Sequence, residues 1–342
     1  MKIVPLGTSS GQPTLERGVT GLAAFVGSDK RWVLVDCGEG TQQRIMAAKS
    51  AGHPGATALP WSELGAILIT HGHGDHCFGL FGILAMLSMS GRTKPLALVA
   101  PPEVEAMAKA VMAGSHTHVA YAIEWIHPKD GLVVDLGEGL SCRCVQMAHR
   151  APSHGYLLES SKVLSKADPK AFEAAGFEPG PEMGAAIAAA KLGQPSVLPN
   201  AAGVVDLTGS IDFQRQTESL FVGGDNAEPE RVARAAEGAL AWVHEATYHQ
   251  EDWAKDGAGL KWGHSSARMV GEAARLGRPG SLVLTHFSPR YGAGAQGVER
   301  LRVEASKYFD GPVHLATDLA PIEFAPKLEP WRGPRVGKGF KA

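Results

Sequence analysis

The chain has 342 residues, 44% hydrophobic and 20% charged, with a formal net charge of −2 when histidine is neutral. That length and composition suit a globular protein with a sizeable core, and the near-neutral balance gives no global positive field that would attract nucleic acid or a membrane surface. The longest apolar run, Phe78 to Met89, is too short to span a bilayer, so no membrane partner is expected. Four cysteines (Cys37, Cys77, Cys142 and Cys144) without a C-x-x-C pair point to a reduced, cytoplasmic setting, and Cys142 and Cys144 read as facing opposite sides of one strand.

The amino terminus, MKIVPLGTSSG, has no long apolar segment and is expected to form a first strand and turn. Strands are expected over Lys2–Leu6, Leu22–Val26 and Arg31–Val35, joined by glycine-rich and polar turns. Asp36-Cys37-Gly38-Glu39-Gly40-Thr41-Gln42 then ends the third strand and opens a helix toward Lys49. Asp36 there either orients a ligand histidine or caps that helix. An apolar strand from Ala66 to Ile69 leads through Thr70 into His71, His73, Asp75 and His76.

Beyond that loop, helices over Phe78–Ser90 and Pro102–Met112 alternate with a strand over Pro95–Ala100. Strands near Ala122–Trp125, Leu132–Leu136 and Ser141–Met147 follow, the last running into His149, with His154 close behind. Strand and helix periods interleaved in this way predict an α/β protein whose sheets are covered by helices. Between Ser160 and Gln214 the texture becomes alanine-, glycine- and proline-rich, with helices near Pro169–Ala175 and Gly184–Lys191 and few strand signals. This stretch is expected to be an inserted arm.

The strand pattern returns at Leu220–Val222 and ends in Gly223-Gly224-Asp225-Asn226. A helix over Pro229–Gly238 and a strand over Leu240–Val243 lead to His244-Glu245-Ala246-Thr247. His264 sits where another helix should begin, an end that disfavours imidazolium. The strand Ser281–Thr285 ends in His286, with Arg290 shortly after. A helix over Gln296–Phe309 and strands over Val313–Ala316 and Pro321–Phe324 complete a domain of residues 1–326, and the basic, Pro/Gly-rich stretch 327–342 is expected to be loosely held.

The densest chemistry is His71 to His76, three histidines and an aspartate in six residues, spaced H-x-H-x-D-H. Imidazole nitrogen suits zinc, carboxylate oxygen suits harder ions, and a mixed set this dense can serve two neighbouring first-row metals. Gly72 and Gly74 are expected to let the loop turn tightly. A structural zinc finger would use paired cysteines, and only Cys77 is nearby. Four residues cannot complete two coordination spheres, so the other ligands must come from farther along the chain.

The H-x-H-x-D-H loop resembles the signature of the metallo-β-lactamase superfamily. With Leu6-Gly7-Thr8, the D-C-G-E-G-T-Q segment at Asp36, Gly155-Tyr156, Gly224-Asp225, the H-E-A-T segment at His244, Gly263-His264-Ser265 and Leu284-Thr285-His286, the chain is similar over Lys2 to Phe324 to the ribonuclease Z family of tRNA 3′-processing endonucleases. The resemblance implies a four-layer αβ/βα sandwich with a protruding arm, residues 160–214, that grips tRNA and serves the partner's active site in a homodimer. It also implies two divalent ions, zinc first and manganese as the alternative, one held by His71, His73 and His149 and the other by Asp75, His76 and His286, with Asp225 bridging. Asp75 would take the proton from the attacking water. His264, oriented by Glu245, would face the scissile phosphate, and Arg17 and Arg290 would contact the precursor tRNA.

Some positions depart from the family pattern. Pro13-Thr14-Leu15-Glu16-Arg17-Gly18 keeps the Pro and Arg of the family's P-x-K-x-R-N loop but lacks its Lys and Asn. The arm carries four lysines (Lys162, Lys166, Lys170, Lys191) against six acids (Asp168, Glu173, Glu178, Glu182, Asp206, Asp212), a weak charge balance for a backbone grip. These departures motivate an alternative, a phosphodiesterase of the same fold acting on a small or cyclic diester. A non-catalytic RNA-binding scaffold is the third reading, and the complete ligand set opposes it.

Overall fold

The computed structural model describes residues 1–50, 56–174, 176–177, 180–191, 197–200, 203–206, 210–292 and 295–331. They divide into two compact units, one of the described residues within 1–160 and 218–325 and the other of those within 161–217 and 326–331.

In the first unit, a sheet is built from β1 (Lys2–Gly7), β2 (Gly21–Phe25), β3 (Trp32–Cys37), β4 (Leu64–Leu68), β5 (Leu96–Val99) and β6 (Ile123–Ile126). These strands lie side by side in chain order, antiparallel from β1 to β3 and parallel from β3 to β6. The second sheet takes β7 (Val133–Asp135), β8 (Leu140–Met147), β9 (Ser153–Ala167), β12 (Ile211–Val222), β13 (Ala241–Glu245), β14 (Leu282–Thr285) and β15 (Val313–Leu315). Its order is β15-β14-β13-β12-β9-β8-β7, with β12 to β15 parallel. The strand β16 (Ile322–Glu323) returns to pair with β1.

Alternating side chains explain the layering. Along β3, Trp32 and Leu34 pack with Ile45, Ile83 and Leu84 under the helices α1 (Thr41–Ala47) and α3 (Leu80–Met89), whereas Val33 and Val35 face the other sheet. On that sheet Ala241, Val243 and Val283 point inward, while Trp242, Leu282 and Leu284 pack with Val270 and Ala274 of α10 (Ala267–Gly277) and Leu301 of α11 (Ala295–Ala305). Central strands covered on both faces must be apolar at successive positions, which is why VLV and LVL runs mark them in the sequence. The result is helix, sheet, sheet, helix, the four-layer sandwich expected.

Cys142 and Cys144 correct one expectation. Residues two apart on a strand share a face, and both are fully buried thiols, free of any disulfide, in the inter-sheet core. A second correction concerns Pro229–Gly238, which forms one α-turn (Pro229–Val232) followed by a 3-10 turn (Ala233–Ala236).

The second unit has a small core of its own, Phe172, Phe177, Ala186 and Ile211 with Phe213 packed against them. It holds α5 (Pro169–Ala174), α6 (Pro181–Lys191) and the hairpin β10 (Val197–Asn200) to β11 (Gly203–Asp206). The expectation of few strands here fails: β9 continues to Ala167 and β12 begins at Ile211, well before Leu220. Lys327–Pro330, expected to begin a loose tail, instead forms β17, antiparallel to Gln214–Thr217 of β12. Pro179 and residues 332–342 lie outside the described residues. Among the described residues no helix is long and apolar enough to cross a membrane.

Candidate metal centre

The site forms at the carboxyl ends of the parallel strands, where open α/β sheets leave a crevice for ligands. From the first sheet, β4 delivers Thr70, His71 and His73, and the chain then enters the short helix α2 (Gly74–Cys77) that carries Asp75 and His76. Neither Gly72 nor Gly74 takes a positive φ, so the turning freedom expected of them is not used. Close backbone approach matters at other glycines. A Cβ on Gly38 would lie 2.2 Å from the carbonyl oxygen of Asp75, and one on Gly79 would lie 2.2 Å from that of Gly38. From the second sheet come His149 beyond β8, Asp225 beyond β12, Glu245 at the end of β13 and His286 beyond β14. His154, the competitor of His149, lies in β9 and in neither donor set.

One donor atom each from His71, His73, His149 and Asp225 lies within 4.8 Å of the others, as do those of Asp75, His76 and His286. Asp225 faces both sets. Its Oδ1 is 3.4 Å from Nε2 of His76 and of His286, and its Oδ2 is 3.6 Å from Nε2 of His71 and 3.8 Å from Nε2 of His149. Oδ1 is buried without a hydrogen-bond partner among the described residues. An ionised oxygen left alone in the interior is costly unless a cation meets it. Within the second set, Asp75 Oδ2 is 3.4 Å from His286 Nε2 and 3.6 Å from His76 Nε2, and the two imidazole nitrogens are 3.2 Å apart. Donors about 2.0–2.1 Å from a tetrahedral zinc would stand about 3.3 Å from one another, so the residues fit a first-row divalent ion.

His76, His149 and His286 are each oriented through their other nitrogen. His76 Nδ1 is 2.8 Å from Asp36 Oδ2, and Asp36 also accepts from the Thr70 amide (2.7 Å) and hydroxyl (2.8 Å). Asp36 therefore orients His76 rather than capping α1, whose N-cap is Gly40 with no side-chain bond. His149 Nδ1 donates to the carbonyl of Gly263 (2.8 Å), and His286 Nδ1 lies 3.0 Å from the Thr247 hydroxyl, which donates to Glu245 Oε2 (2.7 Å). Asp36 and His286 adopt φ of 57° and 58°, a left-handed conformation that non-glycine residues keep only where surrounding contacts impose it.

Electrostatics divides the histidines. Burial, reinforced by His76, holds His71 well below its ordinary range, the neutral form a metal requires. For His76 burial is outweighed by Asp225, Asp75 and Asp36, which raise it to about 10. His264 is likewise raised to about 9, because Asp225 and Glu245 overcome its burial. The sequence-based expectation of a helix terminus disfavouring its cation is thus overturned: α10 starts only at Ala267, capped by Ser266, and the two carboxylates dominate. Glu245 meets both His264 and the nearby backbone. Oε1 faces His264 Nδ1 at 3.3 Å and accepts the Ser265 amide at 2.8 Å, while Oε2 holds Thr247.

Residues 17–156 match the metallo-β-lactamase superfamily. Over 322 residues the sequence is 36% identical to ribonuclease Z of Marinobacter nauticus, covering 93% of this chain and 95% of that protein. The chain belongs to the ribonuclease Z family. Its relative in Brevibacillus brevis, also a ribonuclease Z, is 33% identical over 94% of this chain and 96% of its own length. The short form of human tRNase Z, a solved structure, shares the fold with a TM-score of 0.62 at 22% identity, covering 95% of this chain and 100% of that one.

In this family member Arg290 lies beside the site, its guanidinium 5.0 Å from the Tyr248 ring centre, and that ring meets His264 edge-on. Arg17, expected to contact substrate, is bonded within the chain. It is 9% exposed and donates to the carbonyl oxygens of Gly292 (2.9 Å) and Ser288 (3.5 Å), which makes it a tie between two loops. Sequence reasoning missed Gly11, whose amide donates to Asp75 Oδ2 (2.7 Å), and Thr247, the link from Glu245 to His286. A threonine two residues beyond a strand-end glutamate was the available signal for Thr247.

Proposed function

We propose that this ribonuclease Z family member removes the 3′ trailer from precursor tRNA by hydrolysing one phosphodiester, leaving a 3′-hydroxyl on the tRNA. The observation that carries this reading is Asp225, a buried carboxylate whose two oxygens face two separate donor sets at the floor of an open cleft. His71, His73, His149 and Asp225 would hold one divalent ion, and Asp75, His76, His286 and Asp225 the other. Zinc is the ion proposed, because imidazole-rich donor sets suit it. When bound, such a pair stabilises the attacking and departing oxygens of an in-line displacement.

The chain's own groups supply the proton transfers. Asp75, with Oδ2 anchored by the Gly11 amide, accepts a proton from the attacking water. His264 turns Nδ1 toward Glu245, which leaves Nε2 to protonate the departing 3′ oxygen. Glu245 beside Nδ1 favours the protonated ring that such a donor needs. We also propose a homodimer, supported by the arm the family uses across such an interface. Sedimentation showing an active 36.0 kDa monomer would remove it.

The test is to incubate the protein with 3′-extended precursor tRNA, with and without CCA, and with a small phosphodiester, under added Zn²⁺ or Mn²⁺. Defined cleavage next to the discriminator base is expected. Turnover of the small diester alone would overturn the tRNA assignment and leave the small-substrate reading.

A further inference from the structure

The cleft over the donor sets has a volume of about 400 Å³ and is bounded by Ser10, Gly11, Asp75, Arg150, Trp262 and His264 among others. Trp262 stands out in this polar setting. Half of its surface is exposed (49%), and among the described residues it belongs to no buried cluster. A large aromatic left in water forgoes the burial that normally stabilises it, so its position asks for a partner.

Two cations sit against the ring. Lys261 Nζ lies 5.1 Å from its centre and Arg150 Cζ 5.8 Å. Arg150 is held there by a bond from Nη1 to the Lys261 carbonyl (3.1 Å), and the next carbonyl but one, Gly263, accepts from His149 (2.8 Å). The segment Lys261–His264 therefore fixes the aromatic ring and the guanidinium to a residue of the first donor set and to His264. An aromatic face beside paired positive charges matches one nucleotide unit, a planar base joined to a phosphate.

We propose that Trp262, flanked by Arg150 and Lys261, is the shelf on which an unpaired nucleobase next to the scissile phosphate stacks, with Arg150 meeting the adjoining phosphate. This rests on the reaction proposed above and adds the contact that holds the strand in register. Because every base has a π-face, the shelf selects an unpaired nucleotide rather than a particular base. A base still in the acceptor helix has its faces covered by its neighbours and cannot use it.

The experiment compares wild-type holoenzyme with Trp262→Ala, Trp262→Phe and Arg150→Gln on precursor tRNA that is intact or abasic at either nucleotide flanking the cut. Metal content and melting temperature are read alongside, and Trp262→Leu replaces the alanine variant should that one not fold. Trp262→Ala should lower kcat/KM on intact RNA by about tenfold to a hundredfold, and Trp262→Phe should restore most of it. On the RNA abasic at the stacked position, wild type and Trp262→Ala should agree within about twofold. Arg150→Gln should flatten the log–log salt slope by about one. An alanine penalty of equal size on intact RNA and on both abasic RNAs, or no penalty at all, overturns the shelf while the reaction stands. Failure of wild type to cut intact precursor tRNA at a defined position overturns the reaction, and the shelf falls with it.

Discussion

Replacing Asp36 by asparagine isolates the effect of ligand orientation from that of ligand identity. Asparagine tolerates the left-handed backbone at this position and keeps nearly the same volume, so the fold should survive. What changes is the proton map. Oδ2 of Asp36 now faces two groups, the Thr70 hydroxyl at 2.8 Å and His76 Nδ1 at 2.8 Å. An amide NH₂ in that place donates where the carboxylate accepted, which makes His76 Nδ1 an acceptor and moves the ring proton to Nε2. That nitrogen is the one 3.2 Å from His286 Nε2 and 3.4 Å from Asp225 Oδ1.

The second donor set would therefore lose one ligand without losing a side chain. Removing an orienting partner of this kind typically costs 10–100-fold in metal affinity, or about 1.4–2.7 kcal/mol. Chelator competition on wild type and Asp36→Asn should show one of the two ions weakened by that factor. Asp36→Ala should weaken it further and also lower stability, because alanine keeps neither the bonds nor a ready left-handed conformation. Wild-type affinity for both ions in a folded Asp36→Asn protein would refute the tautomer argument.

Further outcomes follow from other parts of the structure. Asp75→Ala should reduce cleavage of precursor tRNA by at least about a thousandfold with its circular dichroism unchanged, a loss typical of removing a residue central to the chemistry; activity within tenfold of wild type would exclude Asp75 as proton acceptor. Chelation should lower the melting temperature and zinc should restore it, since an ion bound only by the folded chain at about 100 times its dissociation constant adds about 2.7 kcal/mol; identical melts with and without chelator would count against a preformed site. Tyr156→Phe deletes a buried 2.6 Å bond to the carbonyl of Ile69 and should cost about 1–2 kcal/mol in urea unfolding, with a loss above about 4 kcal/mol pointing to an unrecognised role.

The histidines and aspartate of the H-x-H-x-D-H loop were legible because their chemistry lies in their identity and an apolar strand leads into them, whereas His149, Asp225 and His286 came from the resemblance to the family. His71, His149, Asp225 and His286 all stand just past such strands. Long-range partners were harder. Gly11 reaches Asp75 across 64 residues through a backbone amide that no side-chain pattern reports. The outer ends of β9 and β12 were missed for a different reason: segments such as ESSKVLSKA and IDFQRQTES lack the apolar run of a doubly covered strand, and only pairing reveals them. His264 shows how local reading misleads, since the helix end suggested a neutral ring and two carboxylates from distant strands decide otherwise.

The backbone contacts at Gly38 and Gly79 have a consequence for how this protein can change. The metal loop is seated against β3 by main-chain atoms, Asp75 on Gly38 and Gly79 on Gly38, with the Gly79 amide bonded to the Cys37 carbonyl at 2.9 Å. Such a seat does not depend on the volume of neighbouring side chains. Substitutions in the core beneath, at Ile83 or Leu84 for example, can weaken the sandwich by kilocalories while the donor atoms keep their spacing. Robustness of the scaffold and geometry of the site are thus separately adjustable, and a side chain at either glycine would join them again.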